Sequence, residues 1–202
     1  DATNVVLDTL GPDDLVKIID FDKDAKLPPS SPVKGYGKCL STQLVPASTA
    51  YKTLLKRWVE SMDPQGTTNF IAAFNLGFQA LKATDINQGG VTRVPTILFM
   101  TDGVPNKDST PAQDIVKKRN VDADARVFTY NFGNGATDTS MKAAACQGKG
   151  VYQEIPDGGN LKLAMASYFS YLGAGIIPKP GEKQAVRWAE MYEDGQGMGQ
   201  NT

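Results

Sequence analysis

The sequence predicts an α/β domain, doubly wound, with a mostly parallel sheet and helices on both faces. Three observations lead there. Short runs rich in apolar and β-branched residues alternate with segments of helical period, which is the pattern of successive β-α units. The run 96–100, Thr-Ile-Leu-Phe-Met, is apolar without alternation, as a strand buried on both faces requires. That run stops abruptly in Thr101-Asp102-Gly103, with Pro105 and Asn106 close behind, which is turn chemistry. An open α/β sheet binds its ligands beyond the carboxyl ends of its strands, and Asp102 falls at such an end. Its carboxylate either binds a hard cation or polar ligand, or caps the loop or the next helix.

Taken in order, residues 4–10 place Val5, Val6, Leu7 and Leu10 at helical spacing, and Gly11-Pro12 ends the helix. Residues 14–21 read as a largely apolar strand, 22–38 as an exposed connection rich in Pro, Gly, Ser and Lys, and 39–45 as a short edge strand. Residues 47–62 form a helix with Tyr51, Leu54, Leu55, Trp58, Val59 and Met62 on one face. Asp63-Pro64-Gln65-Gly66 breaks it, and Thr67-Thr68 heads the next helix. In that helix Phe70, Ala73, Phe74, Gly77, Phe78 and Leu81 recur at the helical period, so the three phenylalanines read as core.

After a polar loop (84–93) comes the strand at 96–100. A helix follows over 109–119, with Ser109 or Thr110 as cap and Pro111 in its first turn. Then come a strand over 126–132 ending in Gly133-Asn134-Gly135, a helix over 137–147, a strand over 150–155 and a helix over 160–172. Residues 173–181 are a Gly/Pro linker, and the stretch 183–202 cannot close a core alone. It reads as the start of a further domain, with Trp188 and Tyr192 packing at that junction.

The bulk numbers narrow the function. The chain has 202 residues, 41% of them hydrophobic, enough for one sizeable core. Lys+Arg (21) and Asp+Glu (22) nearly cancel, and basic residues do not cluster, so nucleic acid is not an expected partner. The absence of histidine removes Ser-His-Asp and Cys-His catalysis and histidine-bound zinc from the residues present. Cys39 and Cys146 form no CxxC pair, so neither a zinc nor a thioredoxin-type pattern exists. A phosphatase of the haloacid-dehalogenase type needs a nucleophilic Asp where Met100 stands. Gly133-Asn134-Gly135 is only a fragment of a dinucleotide-binding fingerprint, and no P-loop occurs.

What remains is a threonine at the head of a helix, in Gly66-Thr67-Thr68-Asn69, and Asp102 after the next strand. A hydroxyl and a carboxylate are hard oxygen donors, suited to Mg²⁺ or Ca²⁺ rather than zinc or copper. The segments GTTNFIAAFNLGFQAL and PTILFMTDGVPN resemble the von Willebrand factor type A (VWA) domain, a Rossmann-like fold. Its metal-ion-dependent adhesion site takes a Thr from a G-x-T-[ND] loop and an Asp from a hydrophobic-TDG turn. The resemblance assigns these roles to Thr68 and Asp102, with Thr67 at the variable place. It covers residues 1–172.

The segments LDTLGPDDLVKIIDFD, ARVFTYNFG, AAACQGKGVYQEIPDGGN and AVRWAEMYEDGQGMG are similar to the type A domain of the calcium-channel alpha-2/delta auxiliary subunits. That likeness implies Cache-type repeats after residues 173–202. The chain departs from the family at one place. The D-x-S-x-S strand, which supplies an Asp and two Ser in the middle of a sheet ordered 3-2-1-4-5-6, is missing from this chain. The expectation is that it stands upstream of Asp1 in the native protein, because without it residues 15–21 and 96–100 lack a neighbour.

The resemblance further implies a non-enzymatic module in which a divalent cation keeps one position open for a partner's carboxylate. That partner is another protein, such as an ion-channel subunit, and the setting is extracellular or at the cell surface, with membrane association through parts outside this chain. In the family's strand order Cys39 and Cys146 lie near opposite ends of the sheet, too far apart to pair. Either both are buried free thiols or each bonds a segment outside this chain; the alpha-2/delta likeness implies the second for Cys146, joining it to the rest of its own precursor. Two alternatives stand beside this reading: an adhesion or matrix type A domain without channel association, and a scaffold within a small-molecule-sensing Cache protein.

Overall fold

A computed structural model describes residues 2–28, 37–63, 66, 68–90, 93–103, 111–133 and 139–160, together with 163, 164 and 168. The expected linker at 173–181, the tail to 202 and most of the helix expected at 160–172 lie outside these residues.

Three strands form the centre. β5 (Thr96–Thr101), β6 (Arg126–Phe132) and β7 (Tyr152–Ile155) run parallel in that order. Thr96 pairs with Arg126 and Thr101 with Asn131, while Phe132 pairs with Ile155. The carboxyl ends of all three strands therefore reach one edge, where the turns at 102–103, 133 and 156–160 stand. Gly133 holds φ +84° there, a left-handed conformation that suits glycine.

Helices cover both faces, as the sequence predicts. On one face α4 (Phe70–Lys82), α5 (Ala112–Arg119) and α6 (Thr139–Gln147) pack Phe70, Phe74, Phe78, Val116 and Met141 against Phe99 and Val127. On the other, Val6 of α1 (Ala2–Thr9) and Tyr168 pack against Phe128, Tyr130 and Ile155. A third cluster joins Leu7 of α1, Leu40, Val45 and Leu55. Leu55 is the buried residue of α3 (Thr49–Glu60), which starts at a Ser48 cap.

The amino-terminal half differs from its sequence reading in three ways. The strand expected over 14–21 is two short pieces with different partners. β1 (Leu15–Val16) pairs antiparallel with β4 (Val45–Pro46), and β2 (Asp20–Phe21) folds back on β3 (Ala25–Lys26). A strand is defined by its neighbour, and no single neighbour follows this segment along its length.

The edge strand expected over 39–45 is a helix, α2 (Gly37–Thr42), for most of its length. Leu40 buries its side chain, and the Lys17 Nζ donates to the carbonyls of Leu40 and Gln43, groups a helix end leaves without partners. The exposed connection expected from residue 22 holds only in part over 22–28: Lys23, Asp24 and Lys26 are exposed, whereas Asp22 and Pro28 are buried. Asp22 sits buried in the β2–β3 turn.

The sheet is also discontinuous. β1–β4, β2–β3 and β5–β6–β7 are separate sheets, and among the described residues β5 has a strand neighbour only in β6. The run read as buried on both faces is accordingly half-covered: only Phe99 and Thr101 of β5 are buried, against five of the seven residues of β6. Helix α4 bridges the break. A Cβ at Gly77 would lie 3.6 Å from the Ile97 Cδ1 on one side and 3.9 Å from the Ile19 Cδ1 on the other, ordinary van der Waals distances, so the helix lies against both segments here.

Candidate functional site

The site begins with the turn that ends β5. The Gly103 N–H donates to the Thr101 Oγ1 over 3.1 Å, and Thr101 is itself buried. The threonine hydroxyl thus braces the turn, in the manner of a Ser/Thr turn. This leaves the Asp102 carboxylate exposed and, among the described residues, engaged in no hydrogen bond. The reading of Asp102 as a helix cap does not hold, since α5 begins at Ala112 with Pro111 in the cap position and no side-chain cap bond.

The second half is the loop before α4. Asn69 caps this helix, its Oδ1 accepting from the Ala72 N–H over 3.0 Å. The residue is fixed on its other sides as well. Its backbone N–H donates to the Asp22 carbonyl over 2.7 Å, its Nδ2 donates to the Lys23 carbonyl over 3.0 Å, and its carbonyl accepts from the Ala73 N–H over 3.3 Å. Thr68, one residue earlier, is half-buried.

The two halves meet. A Cβ built on Gly103 would lie 2.7 Å from the Thr68 Oγ1 and 3.6 Å from its Cβ and Cγ2. Thr68 therefore stands directly against the residue that follows Asp102, at the carboxyl edge of β5. Only a glycine leaves room for that hydroxyl.

A floor of aromatic rings holds the geometry from below. Phe99, on β5, stacks on Phe74 at 4.4 Å and meets Phe70 edge-on at 4.9 Å. Phe21 of β2 lies 4.9 Å from Phe99 and 6.3 Å from Phe70. One cluster thus ties together the three elements that carry Asp102, Thr68 and the Asp22 turn.

One hydroxyl packed against Gly103 and one exposed carboxylate on the residue before it are hard oxygen donors, the chemistry that suits a divalent cation. Two oxygens do not fill the six-coordinate shell of Mg²⁺. Among the described residues no group of three or more Asp, Glu, His or Cys side chains gathers to complete it.

Of the cysteines, Cys146 is exposed on α6 as a free thiol, so the buried reading fails for it. The backbone of Cys39 lies in α2 rather than on an edge strand. Sequence reasoning named Thr101, Gly103 and Asn69 only as parts of the turn and loop motifs, and it gave Asp22 no role at all. The first two are signalled locally by a hydroxyl and a glycine flanking an aspartate, and Asn69 by its place before an apolar helical run. Asp22 carries no local signal.

No protein-family model matches the chain. Over 196 residues it is 32% identical to the human voltage-dependent calcium channel subunit alpha-2/delta-2, a match covering 96% of this chain and 16% of that protein. The chain thus spans about a sixth of the length of the curated relatives it matches. Among solved structures, a von Willebrand factor type A protein from Catenulispora acidiphila superposes with a TM-score of 0.64 at 17% identity, over 81% of this chain and 34% of that one. Proximal thread matrix protein 1 from the mussel byssus, with a zinc-occupied MIDAS motif, gives a TM-score of 0.56 at 15% identity, over 81% and 39% of the two chains.

Proposed function

This chain is a von Willebrand factor type A domain like that of the calcium-channel alpha-2/delta subunits, and on that premise we propose that it is a non-enzymatic module that binds another protein through a divalent cation. The observation that carries the reading is the contact of Thr68 with Gly103, which sets a hydroxyl beside the Asp102 turn. The cation is Mg²⁺ or Ca²⁺, by the hardness of both donors. When bound it supplies positive charge and an open coordination position to a carboxylate of the partner. Asp102 provides the charge that retains it, Thr68 a neutral oxygen, and the Thr101 and Asn69 hydrogen bonds keep both in place.

The partner belongs to the class of ion-channel subunits, which the name of the curated relatives supports. The setting is extracellular or at the cell surface, and residues 173–202 lead from a type A domain over 1–172 into a Cache-like domain. Among the described residues no helix is long and apolar enough to cross a membrane, and membrane association comes from parts outside this chain. The exposed Cys146 thiol forms a disulfide with a segment of its own precursor, and Cys39 bonds outside this chain likewise.

The test is capture of a channel subunit by the full-length protein, with and without EDTA. Capture is expected to disappear with chelator and in Thr68→Ala and Asp102→Ala. Unchanged capture in both variants and in EDTA overturns the reading.

A further inference from the structure

The β2–β3 turn is built around a buried carboxylate that the cation-site reading does not use. Asp22 is 7% exposed. Its Oδ1 accepts from the Asp24 N–H over 3.0 Å, and its Oδ2 accepts from the Lys26 Nζ over 2.9 Å. Both oxygens are thus spent on fixing the turn. The turn in turn presents two adjacent carbonyls, those of Asp22 and Lys23, to one residue. They receive the backbone N–H and the Nδ2 of Asn69.

We propose that Asp22 is a positioning residue for the cation site: it sets the turn whose two carbonyls fix Asn69, and Asn69 fixes Thr68, the next residue back along the chain. The proposal rests on the reading of Thr68 and Asp102 as cation ligands. Its physical content is preorganisation. Thr68 contributes a single neutral oxygen, so its value to a cation depends on that oxygen being in place before binding. From the β5 side Gly103 limits where the hydroxyl can go. From the α4 side the direction of the chain at Thr68 follows from Asn69, whose backbone N–H, carbonyl, Oδ1 and Nδ2 all have partners. Two of those four are supplied by the hairpin. Without the Asp22 carboxylate the Asp24 N–H and the Lys26 ammonium lose their common acceptor, and the carbonyls of Asp22 and Lys23 are held at Asn69 only by the hairpin's backbone bonds, the Asp22 N–H to the Asp24 carbonyl among them. The adjacent Phe21 keeps its ring against Phe70 and Phe99 in either case, so the hairpin stays attached while its turn loosens.

The experiment is titration of the full-length protein with Mg²⁺ in a calorimeter, with thermal unfolding of the cation-free protein recorded in parallel. Thr68→Ala and Asp102→Ala are expected to remove the binding heat of this site. Asp22→Ala is expected to retain it with roughly tenfold weaker affinity, the size of effect that outer-shell partners of metal ligands have. Asp22→Asn keeps an oxygen for the Asp24 N–H and is expected to recover most of that loss. Lys26→Ala, at a half-exposed side chain, tests the same link without burying a hole and is expected to weaken binding in the same direction. If Asp22→Ala or Lys26→Ala lowers the unfolding temperature yet leaves the Mg²⁺ affinity at the wild-type value, the role is structural and the proposal is overturned alone. If Thr68→Ala and Asp102→Ala bind Mg²⁺ as the wild type does, the cation site itself is overturned, and the proposal with it.

Discussion

Gly103 is tightly confined at the rim. A methyl group there would sit 2.7 Å from the Thr68 Oγ1, closer than unbonded atoms approach, so one of the two must move. Gly103→Ala is therefore expected to displace the hydroxyl and weaken Mg²⁺ binding by about an order of magnitude, as changes beside metal ligands do; calorimetric titration measures it. A second residue governs stability against pH. The Tyr168 hydroxyl shares a hydrogen bond with the Thr9 hydroxyl at 3.2 Å. Burial, only partly opposed by this bond, pushes the Tyr168 hydroxyl up to about 12. The folded state thus keeps a proton that the unfolded chain loses near the usual tyrosine value of about 10. Its contribution is complete below pH about 10 and is lost as pH rises towards 12. In Tyr168→Phe the urea midpoint is expected to fall less steeply over that interval. At this scale Thr68 and Asp102 were legible in the sequence, because each sits in a local motif. Asp22 was not, because a polar run reads as loop until tertiary contacts bury it.

Elements divide along the same line. The helices α3, α4 and α5 and the strands β5 and β6 fall within two or three residues of their sequence readings, since periodicity and capping are local properties. Residues 14–21 and 39–45 were misread because short apolar segments take whichever form their neighbours permit. The element joint that matters most is the ring cluster under the site. Phe99 touches Phe21, Phe70 and Phe74, and so couples β2, α4 and β5. Phe99→Ala is expected to cost about 3–5 kcal/mol of folding stability, the range for removing a buried aromatic ring. Urea unfolding of the variant against wild type reads it directly.

For the molecule as a whole, the decisive feature is the break between β5 and the β1–β2 segment. The three parallel strands are covered on both faces, yet β5 is only partly buried beside a β6 buried at five of its seven residues. Amides of β5 that point away from β6 have no ladder partner among the described residues. In this chain by itself they are expected to exchange with solvent much faster than those of β6, since protection follows burial and pairing. Hydrogen-exchange mass spectrometry resolves the two strands. Equal protection would show that another segment covers this edge. The relatives, of which this chain spans about a sixth, offer ample chain for such a segment.

By itself the sequence determined the class of the domain, the helical faces, the three parallel strands and the turn and loop motifs that hold Asp102 and Thr68. Each of these is written within a dozen residues, in spacing, caps or a turn motif. Only the tertiary structure decided that Gly103 is the seat of Thr68, that Asp22 lies buried behind Asn69, and that the sheet is divided at β5. Those facts arise between residues far apart in the chain, and contact at a distance is set by packing, which no local pattern encodes.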